Sequence, residues 1–168
     1  FYCLFIGEGD ERASLEQLAR EHGIEEYVHF TGWLSGADYV RALGTADICI
    51  DPDPITIYND HSTMIKMTEY MGLAKPIVAF DMTEHRFTAQ DAAVYVPETS
   101  PALMAEAISA LMDDPERQKK MGEFGRHRIE TALAWHYSAA NLLNAYDKLL
   151  PLKKKPADGR QPIDASSS

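Results

Sequence analysis

Short apolar runs alternate along this chain with segments of helical period. Residues 1–6 (F-Y-C-L-F-I) are apolar throughout and stop at Gly7-Glu8-Gly9-Asp10. A run without polar alternation predicts a strand covered on both faces, as in parallel sheets. Asp10 is then placed to cap a helix running to about His22, with Leu15, Leu18 and Ala19 inward. Residues 28–30 predict a second strand, closed by Gly32, and Ser35 opens a helix with Tyr39, Val40 and Leu43 on one side. Residues 48–50 predict a third strand. A loop over 51–61, a helix from Ser62, a strand over 76–80, a polar loop over 81–90 and a strand over 93–96 follow. Beyond these the strand signals cease. Ser100-Pro101 opens a helix to about Met112, Asp114-Pro115 opens another, and residues 137–150 predict a last amphipathic helix. The pattern predicts an α/β fold: a Rossmann-like, mostly parallel sheet with helices on both faces and extra C-terminal helices.

Residues 59–80 (N-D-H-S-T-M-I-K-M-T-E-Y-M-G-L-A-K-P-I-V-A-F) join a polar loop, a short helix and a buried strand. With Ser62 as N-cap, the first-turn amides of Thr63, Met64 and Ile65 lack intrahelical partners and can face an anion. At helical spacing Ser62, Lys66 and Glu69 share one face, and Met64, Met67, Thr68 and Met71 the other. The methionine face is core filler. In a parallel sheet, ligands bind beyond the carboxyl ends of the strands. The loops there hold Trp33, Asp51, Asp53, Tyr58, Asp60, His61, His85 and Arg86, an acidic and aromatic rim suited to a hydroxyl-rich ligand. Loop histidines such as His61 and His85 are expected in solvent, and no paired spacing with the aspartates predicts a metal site.

Composition narrows this picture. The chain has 168 residues, 45% of them apolar, enough for one domain with a sizeable core. A formal net charge of −10 argues against a nucleic-acid surface. No run reaches membrane-spanning length, and nothing at Phe1 resembles a secretion signal. Cys3 and Cys49, each inside an apolar run, are expected as buried thiols of a reduced compartment, which with the missing signal predicts a cytoplasmic protein. Residues 1–150 are read as the folded domain. Residues 151–168, rich in Lys, Pro, Gly and Ser, are read as a disordered tail.

Five pieces in register resemble a known family: Gly7-Glu8-Gly9-Asp10; Val28-His29-Phe30-Thr31-Gly32; Ala46-Asp47-Ile48 with Pro52 behind; Glu69-Tyr70-Met71; and Lys75-Pro76-Ile77-Val78. Together they resemble the donor-binding domain of retaining glycosyltransferases of the GT-B fold, family 4. The resemblance implies transfer of a sugar, with retention, from a nucleotide diphosphate to a glycan or lipid-linked acceptor, without a catalytic metal or other cofactor. It implies that Glu69 holds the donor ribose hydroxyls and that the segment Ser62, Thr63, Met64, Ile65 faces the diphosphate and sugar. Trp33 and Leu34 would meet the base, and Gly7 would let the first loop approach the ligand.

The sequence also departs from that family. Where its motif has a first glutamate, eight residues before Glu69, stands His61 with Asp60 before it, and these are the candidates for that role. Ser62-Thr63-Met64 replaces Gly-Phe-Gly, and Ala74 replaces a glycine. A preceding strand and helix carrying a basic pair, and an acceptor-binding domain, are expected outside this chain, so that residues 1–150 are a fragment inactive by itself. The full protein is expected at polysaccharide synthesis, with peripheral association at the inner membrane face left open. Two other readings stay open: a non-catalytic α/β module binding a ligand or protein, and a nucleotide-sugar epimerase-like domain.

Overall fold

The computed structural model describes residues 1–150; the predicted tail over 151–168 lies outside the described residues. The chain divides into two compact units, the first Phe1–Thr131 and the second beginning at Ala132. In the first unit the elements run β1 (Cys3–Phe5), α1 (Arg12–Glu21), β2 (Val28–Phe30), α2 (Gly36–Gly44), β3 (Cys49–Asp51), α3 (Ile57–Asp60), α4 (Ile65–Gly72), β4 (Ile77–Phe80), α5 (Thr83–Ala89), β5 (Ala93–Val96), α6 (Pro101–Met112) and α7 (Pro115–Arg128). Helix α8 (Trp135–Leu149) belongs to the second unit. All strand pairs are parallel, and helices lie on both sides, as the apolar runs predicted.

The core centres on β4, whose four residues are all buried. Because side chains alternate along a strand, Val78 and Phe80 share one face. There they join Val96, Met104, Leu111 and Met121 from β5, α6 and α7. Ile77 and Ala79 fill the opposite face. Helices α6 and α7 start where the sequence placed them: the Ser100 side chain accepts from Leu103 N–H and the Asp114 side chain from Arg117 N–H, each with proline at the next position. Helices α4 and α7 approach closely because Gly122 and Gly125 carry no side chain; a Cβ on Gly122 would stand 2.1 Å from the Ala74 carbonyl oxygen.

Five expectations are corrected. Helix α1 starts at Arg12 after Glu11, not at an Asp10 cap, since Arg12 N–H reaches back to the Gly9 carbonyl in a tighter turn. Of its predicted inward residues only Ala19 is buried, and Leu18 stays 49% exposed. The strands form two sheets rather than one, β1-β2 and β3-β4-β5. The two-stranded sheet is too narrow to cover the α1 apolar face, and an apolar groove of about 140 Å³ remains between Phe5, Leu15, Leu18, Ile24 and Phe30. Lastly, the polar loop expected over 81–90 contains α5, because Met82, His85, Thr88 and Ala89 repeat at helical spacing and all are buried. In the same way the loop over 51–61 contains α3, capped by Thr56.

Candidate functional site

Gly7, Trp33, the segment after Asp51 and the segment after Phe80 follow the carboxyl ends of β1, β2, β3 and β4. At the first two, Gly7 N–H donates to the Gly32 carbonyl at 3.0 Å, joining the loops after β1 and β2. Gly7 takes φ +136° and Gly32 φ +72°, values that side chains resist. Trp33, just beyond this bridge, is 78% exposed, and Leu34 is half-buried.

The stretch between β3 and α4 is fastened on several sides. Ile55 N–H donates to Thr99 Oγ1, and Asn59 Nδ2 to the Pro54 carbonyl. Asp60 accepts from the Thr83 amide at 2.6 Å through Oδ1 and from the Thr83 hydroxyl at 3.1 Å through Oδ2. These bonds, the backbone one foremost, hold the Asp60 carboxyl below the usual carboxylate range. Thr63 Oγ1 donates to Glu84. The loop is therefore shaped before any ligand arrives.

The featured helix begins later than predicted. Ser62 does not cap it: its hydroxyl donates to the Tyr58 carbonyl and finishes α3. Met64, extended, is the N-cap of α4, so the first-turn amides without intrahelical acceptors are those of Ile65 and Lys66. The short helix α3 consumed the residues that would have made the extra turn. The first turn of α4 carries no acidic side chain of its own.

Glu69 and Lys66, expected on one polar seam, go to different partners. Glu69 is exposed and accepts a hydrogen bond from the Tyr39 hydroxyl at 2.6 Å. Lys66 turns inward, with Nζ 2.7 Å from Asp53 Oδ2 and 3.5 Å from Asp51 Oδ1. Burial pushes the Lys66 ammonium down, but the bond to Asp53 and the charges of Asp51 and Asp53 outweigh it and raise its pKa. Asp51 is fully buried at the end of β3, and burial raises its pKa against the opposing pull of Lys66. Facing it is His85, only 1% exposed, which corrects the expectation of a solvent histidine. His85 Nδ1 bonds the Phe80 carbonyl at 2.9 Å, and Nε2 stands 3.4 Å from Asp51 Oδ2. Sequence reasoning missed this cluster; the signal available was His85 on the same helical stripe as Met82 and Ala89.

His61, at the end of α3, is exposed, with Nδ1 2.9 Å from the Ile57 carbonyl and Nε2 left to solvent. Among the described residues no group of three or more His, Cys, Asp or Glu side chains could hold a metal ion. No described helix is long and apolar enough to cross a membrane. Cys49 is buried in β3, its thiol pushed up to about 12 by burial, while Cys3 is only half-buried. Arg86 pairs with Asp81 and lies over the Tyr95 ring.

Parallel strands with helices on both sides and a helix start above the strand ends define an α/β domain of the doubly wound type. Solved structures of glycosyltransferases of the GT-B type share this fold. Sucrose-phosphate synthase from Thermosynechococcus elongatus aligns with a TM-score of 0.72 at 22% identity, over 88% of this chain and 38% of that one. HepE from Anabaena in complex with UDP-glucose aligns with a TM-score of 0.66 at 15% identity, over 86% of this chain and 41% of its own. The sequence profile of the family described as glycosyl transferases group 1 matches residues 1–114, and the chain belongs to that family. The lipopolysaccharide core biosynthesis glycosyltransferase LpsD of Rhizobium meliloti (strain 1021) is 27% identical over 150 residues, 88% of this chain. The chain spans 41% of the length of that relative.

Proposed function

We propose that this chain is the nucleotide-sugar-binding part of a longer retaining glycosyltransferase that transfers a sugar from a nucleotide diphosphate to a glycan or lipid-linked acceptor. The observation that carries the reading is Glu69. Its carboxylate is exposed, oriented by Tyr39 and not neutralised by Lys66, and an ionised carboxylate can accept from two adjacent hydroxyls, as a ribose presents. The amides of Ile65 and Lys66 would meet the diphosphate at the start of α4, and the segment Ser62 to Ile65 would border the sugar. Exposed Trp33, with Leu34 and Gly7, would border the base. The acceptor and the cations completing the phosphate site would come from the rest of the longer protein. The reading calls for no metal, since backbone amides and those cations meet the phosphate charge. It places the protein in the cytoplasm, at the inner membrane face when the acceptor is lipid-linked.

His61 is the candidate to face the transferred sugar, because its Nε2 is open while both Asp60 oxygens are engaged by Thr83. That engagement also favours a second reading, a binding module without catalysis, in which no free carboxylate replaces the first motif glutamate.

The test is a nuclear magnetic resonance titration of the 168-residue chain with uridine and guanosine diphosphates and their sugars. Saturable binding is expected, weakened about tenfold or more in Glu69→Ala, the order of a hydrogen-bonded charged contact. Because the cations of the phosphate site are proposed to lie outside this chain, the refuting result is a folded longer protein that binds none of them at millimolar concentration.

A further inference from the structure

Glu69 has a partner that neither its helix nor the sheet requires. The Tyr39 hydroxyl, thirty residues earlier on α2, donates to Glu69 Oε2 at 2.6 Å. Among the described residues Glu69 Oε1 has no hydrogen-bond partner, and the nearby cation Lys66 is held by Asp51 and Asp53. One carboxylate oxygen is thus pinned and the other presented. An exposed glutamate would otherwise sample many rotamers and lose that freedom on binding. Burial, then the bond to Glu69 and its charge, push the Tyr39 hydroxyl up to about 12. Tyr39 therefore remains a donor at neutral pH. Helix α2 directly follows the Trp33-Leu34 turn, so the same element connects the residues assigned to the base with the residue assigned to the ribose.

We propose that Tyr39 is a positioning residue for ribose recognition: its hydroxyl fixes the Glu69 carboxylate so that the free oxygen reads the ribose hydroxyls. The proposal rests on the donor-binding reading above, and its experiment separates the two. Affinities of the 168-residue chain for uridine and guanosine diphosphates and for their 2′,3′-dideoxy forms are measured by chemical-shift titration in wild type, Tyr39→Phe, Glu69→Gln and the double variant. Thermal melts report folding of each. In Tyr39→Phe, affinity for the ribose forms is expected to fall about threefold to tenfold, with the dideoxy affinity unchanged. The double variant is expected to match Glu69→Gln, because Tyr39 acts only through Glu69.

If Glu69→Gln loses the ribose preference and Tyr39→Phe keeps it, the inference about Tyr39 fails while the donor reading stands. Equal weakening of ribose and dideoxy forms in Tyr39→Phe also overturns it, since that is what a structural role would produce. A wild-type chain without ribose preference removes both. Should Tyr39→Phe fail to fold, Glu69→Gln still decides: its thermal melt must match wild type, because a fold that depended on the pair would make the bond structural and overturn the proposal.

Discussion

The Phe80 carbonyl can only accept, so His85 presents an N–H to it at Nδ1, and Nε2 of the same ring faces Asp51 Oδ2 3.4 Å away. Neither Nε2 nor Oδ2 has another partner. A proton on Asp51 Oδ2 supplies both, and burial, which raises the Asp51 pKa, favours that form. Lys66 opposes the rise most, the Asp53 charge adds to it, and His85 and the Asp53 amide oppose it more weakly. A carboxyl whose folded pKa is raised binds a proton in the folded chain that the unfolded chain has released. Its contribution to stability is therefore fullest below the ordinary carboxyl value of 3.8 and declines as pH climbs through the raised value. In urea melts, the stability of wild type minus that of Asp51→Asn should fall as pH rises from about 4, the unfolded-state value; a difference that is flat with pH contradicts the protonated pair. The sequence placed an aspartate and a histidine here but read both as rim residues, because solvation of a polar side chain follows from what packs over it.

Two residues past the end of α4, Ala74 takes φ +54°, a left-handed conformation that glycine adopts freely and other residues resist. The departure from the family's glycine is thus a departure at a helix terminus, and Ala74→Gly should stabilise the chain by about 1 kcal/mol. The same turn sets the packing of α4 on α7, where the Ala74 carbonyl leaves no room for a Cβ at Gly122. Gly122→Ala should cost about 1–3 kcal/mol. Paired denaturant melts check both, and opposite signs for the two variants are the expected result. Elements with self-contained signals were legible from sequence: α6 and α7 carry their own caps and prolines, and β4 is a bounded apolar run. Helices α3 and α5 were not. Each is short, and the buried stripe of α5 includes His85 and Thr88, which a hydropathy pattern scores as polar.

Across the first unit the two parallel sheets leave one edge of β1 and one edge of β3 unpaired. A doubly wound sheet with its halves running outward from a central strand would be completed by one strand between them, which agrees with the proposal that this domain is part of a longer protein. Amides of β1 and β3 should exchange more slowly in that longer protein than in the 168-residue chain, whereas β4, paired on both sides, should change little. Equal exchange of β1 and β3 in the two would contradict a completing strand. The sequence by itself determined the α/β class, the strand core, the helix ends with local caps and the family to which five short motifs pointed, because each is written in neighbouring residues. Only the tertiary structure decided that Ser62 closes α3, that Lys66 turns to Asp51 and Asp53, that His85 is buried and that Tyr39 holds Glu69. Apart from the Ser62 bond to Tyr58, which is local but competes with a cap, those outcomes join residues apart in the chain, and side-chain hydrogen bonds go to whichever donor or acceptor the packed elements bring within reach.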